Sequence, residues 1–149
     1  MKRLISLLLA FVLAATLLPV RAQAKTGGKL VALTFDDGPS SKYTAQLLDG
    51  LKERDVKATF FLCGYRLAQY PYLAEQIIAG NHEVGLHGFS HKDMTSMSRR
   101  AIAGEIMDSQ ALLPEGCAPV FLRPPGGKYS RLVQEVSKEM GLAVLNWSV

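Results

Sequence analysis

The sequence predicts an α/β fold with about five parallel strands. Along its 149 residues, short apolar segments alternate with segments whose apolar residues recur at helical spacing, which is typical of β–α units. The polar clusters follow the apolar segments, and the carboxyl ends of parallel strands meet at one edge of a sheet. About 125 residues follow a predicted leader, which is enough to bury a core but fewer than the roughly 200 that a closed (β/α) barrel needs.

The first half of the chain predicts two strands and two helices. Residues 29–35 form a short, mainly apolar run of the kind found in buried strands, and residues 56–62 are rich in β-branched and aromatic side chains. Four residues at helical spacing indicate a helix between these strands: Thr44, Leu47, Leu48 and Leu51. A second helix is predicted where Pro71 can occupy the first turn and Gly80 can end it.

The second half predicts three strands and two helices. Three short apolar segments are predicted as strands: 83–86, a strand that begins at 119–122, and 142–149. Helical periodicity covers residues 102–113, with Ser98 as the N-cap. It returns over residues 132–140, where Gly141 ends the helix.

Residues 1–24 have the pattern of a secretory signal peptide. Two basic residues precede an apolar run over 4–20, and Ala22-Gln23-Ala24 supplies small residues at a cleavage site. The alternative is an uncleaved membrane anchor, but the run is short for a membrane span and Pro19 suits a cleavage region better. We therefore expect residues 25–149 to form an exported domain, secreted or associated with the cell wall, with no stable membrane span after cleavage.

The charge of the chain gives no indication of a nucleic-acid partner. The net charge of +4 includes three basic residues of the leader, and without them 14 of the 17 lysines and arginines face 13 acidic residues. A mature charge of about +1 lacks the basic excess that is typical of nucleic-acid-binding domains.

Two adjacent carboxylates, Asp36 and Asp37, follow the first predicted strand and precede a Gly-Pro turn. Consecutive strand residues point in opposite directions, so one carboxylate can bind a metal while the other faces a substrate or water. The alternative is a solvated turn, because Asp, Gly and Pro are common turn residues.

His87 and His91 lie four residues apart after the third predicted strand. On one helical turn they would share a face and could bind one cation. With Asp36 or Asp37 they make a His, His, Asp set, and three protein ligands with an open position are the arrangement of a catalytic zinc site. The alternative is two surface histidines. His82 precedes the strand, and we expect it at the opposite end of the sheet as a surface residue.

Arg123 opens a loop with two prolines and two glycines after the fourth predicted strand, and such a loop exposes backbone groups. Its guanidinium can pair with the carboxylate that the metal does not use. The alternative is a surface arginine before a turn.

The two cysteines, Cys63 and Cys117, are predicted at opposite ends of the sheet. A strand of five or six residues spans about 17–20 Å, whereas bridged Cα atoms lie roughly 4.4–6.8 Å apart. We therefore predict two free thiols despite the expected export.

The ordered set of TFDDGP, His-x-x-x-His and Arg-Pro-Pro followed by glycine resembles the polysaccharide deacetylase family, which has the NodB homology domain and is carbohydrate esterase family 4. The resemblance extends over residues 29–149. It implies a distorted (β/α) barrel, a divalent metal that is usually zinc, and hydrolytic removal of N-acetyl groups from amino-sugar polymers such as peptidoglycan or chitin-like chains. A His, His, Asp set also suits cobalt or nickel.

The resemblance implies a role for each site residue. Asp36 matches the general base and Asp37 a metal ligand. His87 and His91 match the two histidine ligands, and Arg123 matches the arginine that orients the base.

Three features depart from the family pattern. Gly126 stands where the family has a tyrosine whose backbone N–H stabilises the oxyanion, and glycine keeps that N–H. Gly88 stands where the family usually has Ser or Thr, so one hydroxyl that would brace the metal loop is absent. Family members continue into an Asp-Trp motif and a Leu-His motif whose histidine is the general acid. This sequence ends at Val149, before both motifs and before the last strands of the family's barrel. The resemblance therefore implies an incomplete barrel with about five parallel strands, and we expect the sequence to be a fragment of a longer protein.

Three functions remain open from the sequence. A metal-dependent N-deacetylase acting on an N-acetylated polysaccharide is favoured by the complete set of base, ligands and arginine. A non-catalytic sugar- or metal-binding relic of the family is favoured by the missing acid if Val149 is the true end. A related amidase acting on a small or peptide amide is the third, because the same metal chemistry serves any acyl amide. The sequence gives no oligomeric state.

Overall fold

Five parallel strands form one sheet in the order β1-β2-β3-β4-β5, which confirms the predicted fold class. The structure is a computed structural model that describes residues 29–148, so the predicted signal peptide lies outside the described residues. The strands are β1 Thr34–Gly38, β2 Thr59–Leu62, β3 Glu83–Leu86, β4 Phe121–Leu122 and β5 Ala143–Val144. Parallel neighbours that follow one another in sequence need a crossover between them, and helices supply it.

Five helices connect and cover the strands. They are α1 Thr44–Glu53, α2 Gly64–Gln69, α3 Pro71–Ala79, α4 Arg99–Gln110 and α5 Arg131–Glu139, with 3-10 turns at Met94–Ser96 and Pro125–Gly127. The four predicted helices are present with their predicted signals. Pro71 lies in the first turn of α3, Gly80 follows its end, and the Ser98 hydroxyl accepts from the Ala101 N–H at the start of α4. Helix α2 was not predicted, because its six residues are too few to show a period. Among residues 29–148, no helix has the length and apolarity to cross a bilayer.

The strands are shorter than their apolar segments predicted. The first begins at Thr34 rather than at residue 29 and includes both aspartates, and β5 covers two residues rather than 142–149. Pairing sets these limits. The Leu33 carbonyl accepts from the N–H of Thr59, where β2 begins (3.0 Å). Strand β4 has only two residues and therefore offers β5 only two partners.

Two apolar clusters hold the helices against the sheet. The first joins β2 and β3 to the first three helices: Leu51, Ala58, Phe60, Leu62, Leu67, Ala74, Ile77 and Val84. The second joins the later strands to α4 and α5: Leu86, Met94, Ile102, Ile106, Leu122, Val133, Val136 and Leu142. Each fully buried aliphatic side chain stabilises the fold by about 1.5–3 kcal/mol before entropy losses, so the clusters fix the strand ends in place.

A different set of side chains lies on the opposite face of β2. Phe61 alternates with Phe60 and Leu62 and is fully buried. Its partner on β3 is Gly85, where an added Cβ would lie 2.6 Å from the Phe61 ring. The absence of a side chain at Gly85 therefore gives the ring its space, beneath the group of polar residues described below.

The prediction of two free thiols is confirmed, with Cys63 buried and Cys117 half-buried. His82 lies at the start of β3, as expected, but the expected exposure was wrong. It is half-buried, and its Nδ1 accepts from the Ala58 N–H (3.3 Å) while its ring packs edge-on against Phe60. Burial and the nearby Lys57 lower the pKa of His82 from its usual value.

Candidate metal centre

Three donor side chains meet at the carboxyl edge of the sheet. Asp37 is in β1, and His87 and His91 are in the loop that follows β3. The Oδ1 atom of Asp37 lies 3.2 Å from Nε2 of His87 and 2.9 Å from Nε2 of His91. One ligand atom from each residue lies within 4.8 Å of the others. One oxygen and two imidazole nitrogens at these separations can hold a divalent cation such as zinc.

The His87 ring is fixed with one nitrogen free. The side chain is 2% exposed, and Nδ1 lies 2.6 Å from the carbonyl oxygen of Arg123. A proton on Nδ1 donates to that carbonyl and leaves the lone pair of Nε2 directed to Asp37. Burial lowers the pKa of His87, which favours the neutral imidazole that binds metals.

The expectation that the two histidines share a helical turn was wrong. The loop is irregular, and Gly88 (φ 73°) and His91 (φ 58°) both adopt the left-handed conformation. The carbonyls of Gly88 and Phe89 accept from the first two N–H groups of α2 (3.0 Å each). A helix would need those carbonyls for its own N–H groups four residues on. The bend of this loop, rather than a helical turn, brings the imidazole centroids to 5.1 Å.

Arg123 pairs with the carboxylate outside the donor group. Its Nη1 donates to Oδ1 of Asp36 (2.6 Å) and to the hydroxyl of Thr34 (2.9 Å), and its Nε donates to the Leu145 carbonyl (3.0 Å). The arginine is 2% exposed, so the interpretation as a surface residue was wrong. Its guanidinium carbon lies 3.9 Å from the centroid of the Phe61 ring, which is a stacking distance.

Gly126 lies in the 3-10 turn after β4, at the same edge of the sheet. It is exposed with a φ of 64°, and its N–H has no hydrogen-bond acceptor among residues 29–148. The next residue is held more tightly. The Asn146 amide donates to the Gly127 carbonyl (2.8 Å), and an added Cβ at Gly127 would lie 2.6 Å from the ring of Trp147. The turn therefore presents a free backbone donor on a fixed support.

An open cavity of about 280 Å³ adjoins the two aspartates. Phe35, Leu47 and Phe60 supply apolar walls, and Tyr43 and Arg66 also line the cavity. Aromatic and aliphatic walls with a few polar groups are typical of small-molecule sites.

Sequence reasoning missed two residues of this region. Phe61 carries only the signal of a strand aromatic opposite a glycine, which marks packing rather than chemistry. Glu105 lies on α4, where its carboxylate accepts from the Phe89 and Ser90 N–H groups (2.7 and 2.8 Å). Its position in a helix 14 residues after His91 gives no sequence signal of that contact.

Comparisons with known proteins converge on one family. Residues 23–145 match the family model described as polysaccharide deacetylase. The peptidoglycan-N-acetylglucosamine deacetylase PgdA of Listeria monocytogenes is 39% identical over 133 residues, which cover 88% of this chain and 28% of that protein.

Solved structures agree. A family 4 carbohydrate esterase from Streptomyces lividans, in complex with acetate, has a TM-score of 0.76 and 33% identity, covering 80% of this chain and 62% of that one. A CE4 family pseudoenzyme from Bacillus anthracis has a TM-score of 0.72 and 27% identity, covering 79% and 43%. This chain spans less than two thirds of the length of each of these proteins.

Proposed function

This chain belongs to the polysaccharide deacetylase family, and on that premise we propose that it is a metal-dependent hydrolase that removes N-acetyl groups from an amino-sugar polymer, peptidoglycan or a chitin-like chain. One observation carries the proposal. Of two adjacent carboxylates, Asp36 pairs with a buried arginine while Asp37 meets two histidines. Because the two carboxylates have different partners, they can have different roles: Asp36 that of an acid–base catalyst and Asp37 that of a metal ligand.

The donor set fits a divalent cation. Asp37, His87 and His91 would hold it, and the Arg123 carbonyl already fixes the tautomer of His87 that leaves Nε2 free. When bound, such a cation supplies a Lewis acid and lowers the pKa of water to about 7. Zinc is the expected ion, and cobalt or nickel also suits this set.

Asp36 is the proposed general base. Its side chain is 28% exposed, so water and substrate can reach it, while its Oδ1 is held by Arg123. It would accept the proton of the water that adds to the acetamide carbonyl. The C–N bond then breaks, acetate leaves, and the sugar amine takes up the proton that Asp36 accepted from the water. Arg123 is a positioning residue here, because it holds the base and is itself buried.

The Gly126 N–H is the proposed donor to the acetamide oxygen as negative charge develops on it. Its N–H is free among the described residues and lies on a turn that Trp147 and Asn146 support. A backbone donor that is already fixed costs no reorganisation during the reaction.

The proposed substrate class is based on the activity for which a relative is named and on the predicted export of this chain. The Listeria relative is named for its action on peptidoglycan. Export through the predicted leader at residues 1–24 would bring this chain to a cell-wall polymer, where it is either secreted or wall-associated.

Acetate release from defined substrates tests the proposal. The zinc-loaded full chain is incubated with N-acetylglucosamine oligomers, with peptidoglycan fragments and with an N-acetylated peptide, and acetate is measured. The D36N variant is the control, because it keeps all three proposed ligands. Release from the sugars alone, lost in D36N, supports the proposal. Release from the peptide would favour the amidase. Zinc binding without release of acetate from any substrate would favour a non-catalytic member of the family, like the Bacillus anthracis pseudoenzyme.

A further inference from the structure

The carboxylate of Glu105 is bound entirely to the loop between the two histidines. Its Oε2 accepts from the N–H groups of Phe89 (2.7 Å) and Ser90 (2.8 Å), and its Oε1 accepts from the Ser90 hydroxyl (2.6 Å). Within residues 29–148 it forms no ion pair with a lysine or arginine. All of its partners therefore lie between His87 and His91.

The loop is held from its other side as well. The carbonyls of Gly88 and Phe89 accept from N–H groups at the start of α2, while the N–H groups of Phe89 and Ser90 face Glu105. The same short segment contains His91, whose φ of 58° is a left-handed backbone conformation that residues other than glycine rarely adopt. Such a conformation persists only where the surroundings impose it.

The absence of a side chain at Gly88 leaves room beside the loop for the carboxylate of Glu105. Gly88 has no side chain with which the loop could brace itself, and its φ of 73° suits glycine. An added Cβ would lie 3.2 Å from Oε2 of Glu105, which is tight for such a contact. The carboxylate thus occupies the space beside Gly88 and supplies the contacts that the loop lacks.

We propose that Glu105 is a positioning residue of the metal centre, whose carboxylate sets the loop so that Nε2 of both His87 and His91 face Asp37. This inference rests on the proposed function, because it concerns the same metal site. Ligands must be held within about 0.5 Å of their productive positions to bind well. Glu105 touches no proposed ligand side chain and acts through the backbone between them.

A purely structural tie between α4 and the loop would stabilise the fold without affecting metal binding. Zinc affinity separates the two roles. We would measure the zinc dissociation constant of the full chain by competition with a chromophoric chelator, for the wild type, E105A and E105Q. D108A is the matched control, because Asp108 is an exposed acid on the same helix. Circular dichroism of the metal-free proteins reports whether each is folded.

We expect E105A to bind zinc about 10–100-fold more weakly, the usual loss when a group that orients metal ligands is removed. E105Q keeps an oxygen for the two N–H groups and should recover to within a few-fold of the wild type, and D108A should match the wild type. E105D keeps the charge but withdraws it by one methylene, so an intermediate loss is expected, and this variant serves if E105A does not fold.

Wild-type affinity in folded E105A, or in folded E105D should E105A not fold, would overturn the inference and leave the proposed function intact. Equal weakening in E105A and E105Q would also overturn it, because charge rather than loop position would then be responsible. A wild type that binds no zinc would overturn the proposed metal site itself. Amide exchange adds a readout without metal. The N–H groups of Phe89 and Ser90 should exchange faster in metal-free E105A than in D108A, and equal rates would count against the inference.

Discussion

The guanidinium of Arg123 donates to the carboxylate of Asp36 across three strand boundaries, since one residue follows β4 and the other lies in β1. Nη1 of Arg123 lies 2.6 Å from Oδ1 of Asp36, although 87 positions separate the two residues in the sequence. The same guanidinium also reaches the Leu145 carbonyl beyond β5. One buried guanidinium therefore links β1 at one side of the sheet to the segment that follows β5 at the other.

Asp36→Asn should separate catalysis from metal binding. Zinc affinity should stay within about twofold of the wild type, because Asp36 is not one of the three donors. Loss of a general base lowers the rate by about 10²–10⁴-fold. The change also leaves Arg123 buried with a weaker partner, which should lower the free energy of unfolding by about 1–3 kcal/mol. Acetate release, chelator competition and urea unfolding check the three expectations. Wild-type activity in this variant would exclude Asp36 as the base.

Gly85→Ala should disturb the support of Arg123. The added methyl group would lie 2.6 Å from the Phe61 ring, which stacks on the guanidinium. Overpacking of this kind costs about 1–3 kcal/mol, measured as a drop in the free energy of unfolding.

Two further variants control this result. Gly104→Ala, in α4, places its methyl group in open space and should stabilise the chain by about 0.5–1 kcal/mol. Phe61→Leu combined with Gly85→Ala should be less unstable than the two single losses added together, because the smaller side chain relieves the contact. Strict additivity would show that the ring and the glycine are not coupled.

His82 should make the stability of the metal-free chain depend on pH. Its neutral Nδ1 accepts from the Ala58 N–H, and burial lowers its pKa in the folded state. Below the unfolded value of 6.5, the unfolded chain holds more protons at this site than the folded chain, so stability falls as the pH decreases. The contribution is fully present above pH 6.5 and is lost on acidification through the lower, folded pKa.

His82→Asn isolates that contribution, because an amide oxygen can accept from the same N–H without titrating. Urea unfolding at pH 7.5 and at pH 5 should show the advantage of the wild type shrinking on acidification, while the metal ligands contribute equally to both proteins. The same pH slope in the two proteins would mean that His82 does not carry the effect.

Both cysteines should resist alkylation in the folded chain. Burial raises the pKa of the Cys63 thiol to about 12, and burial also raises the pKa of Cys117. Because only the thiolate reacts, iodoacetamide at pH 8 should label neither residue readily, and the half-buried Cys117 should react first. Unfolding in urea should release both for labelling, which mass spectrometry can follow with Cys117→Ala as the control. Rapid labelling of native Cys63 would contradict its burial.

Local signals predicted all five strands and four of the five described helices, but they predicted the extent of the strands poorly. The Ser98 cap and the Pro71 start depend on a few neighbouring residues, so the sequence contains them in full. The extent of β5 depends on β4, a segment distant in sequence, and no property of residues 142–149 announces that only two pairs form.

The site shows the same division. The convergence of the two histidines with one of the two aspartates could be predicted from their places at strand ends, and the family resemblance indicated Asp37 as that aspartate. The route by which the histidines meet could not, because it depends on carbonyls captured by α2. The contact of Glu105 could not be predicted either, because the packing of α4 on the loop decides it.

The sequential strand order has a consequence for how the site comes into being. Each strand pairs with the strand that precedes it in the sequence. The sheet can therefore extend during synthesis, because no strand needs a partner from a distant part of the chain. Asp36 is made 87 residues before Arg123, so its carboxylate cannot pair with that guanidinium until β4 has been added. A nascent chain thus contains Asp36 and Asp37 before the arginine that pairs with Asp36 has been made, and we expect the proposed reactivity to appear only after β4 has joined the sheet.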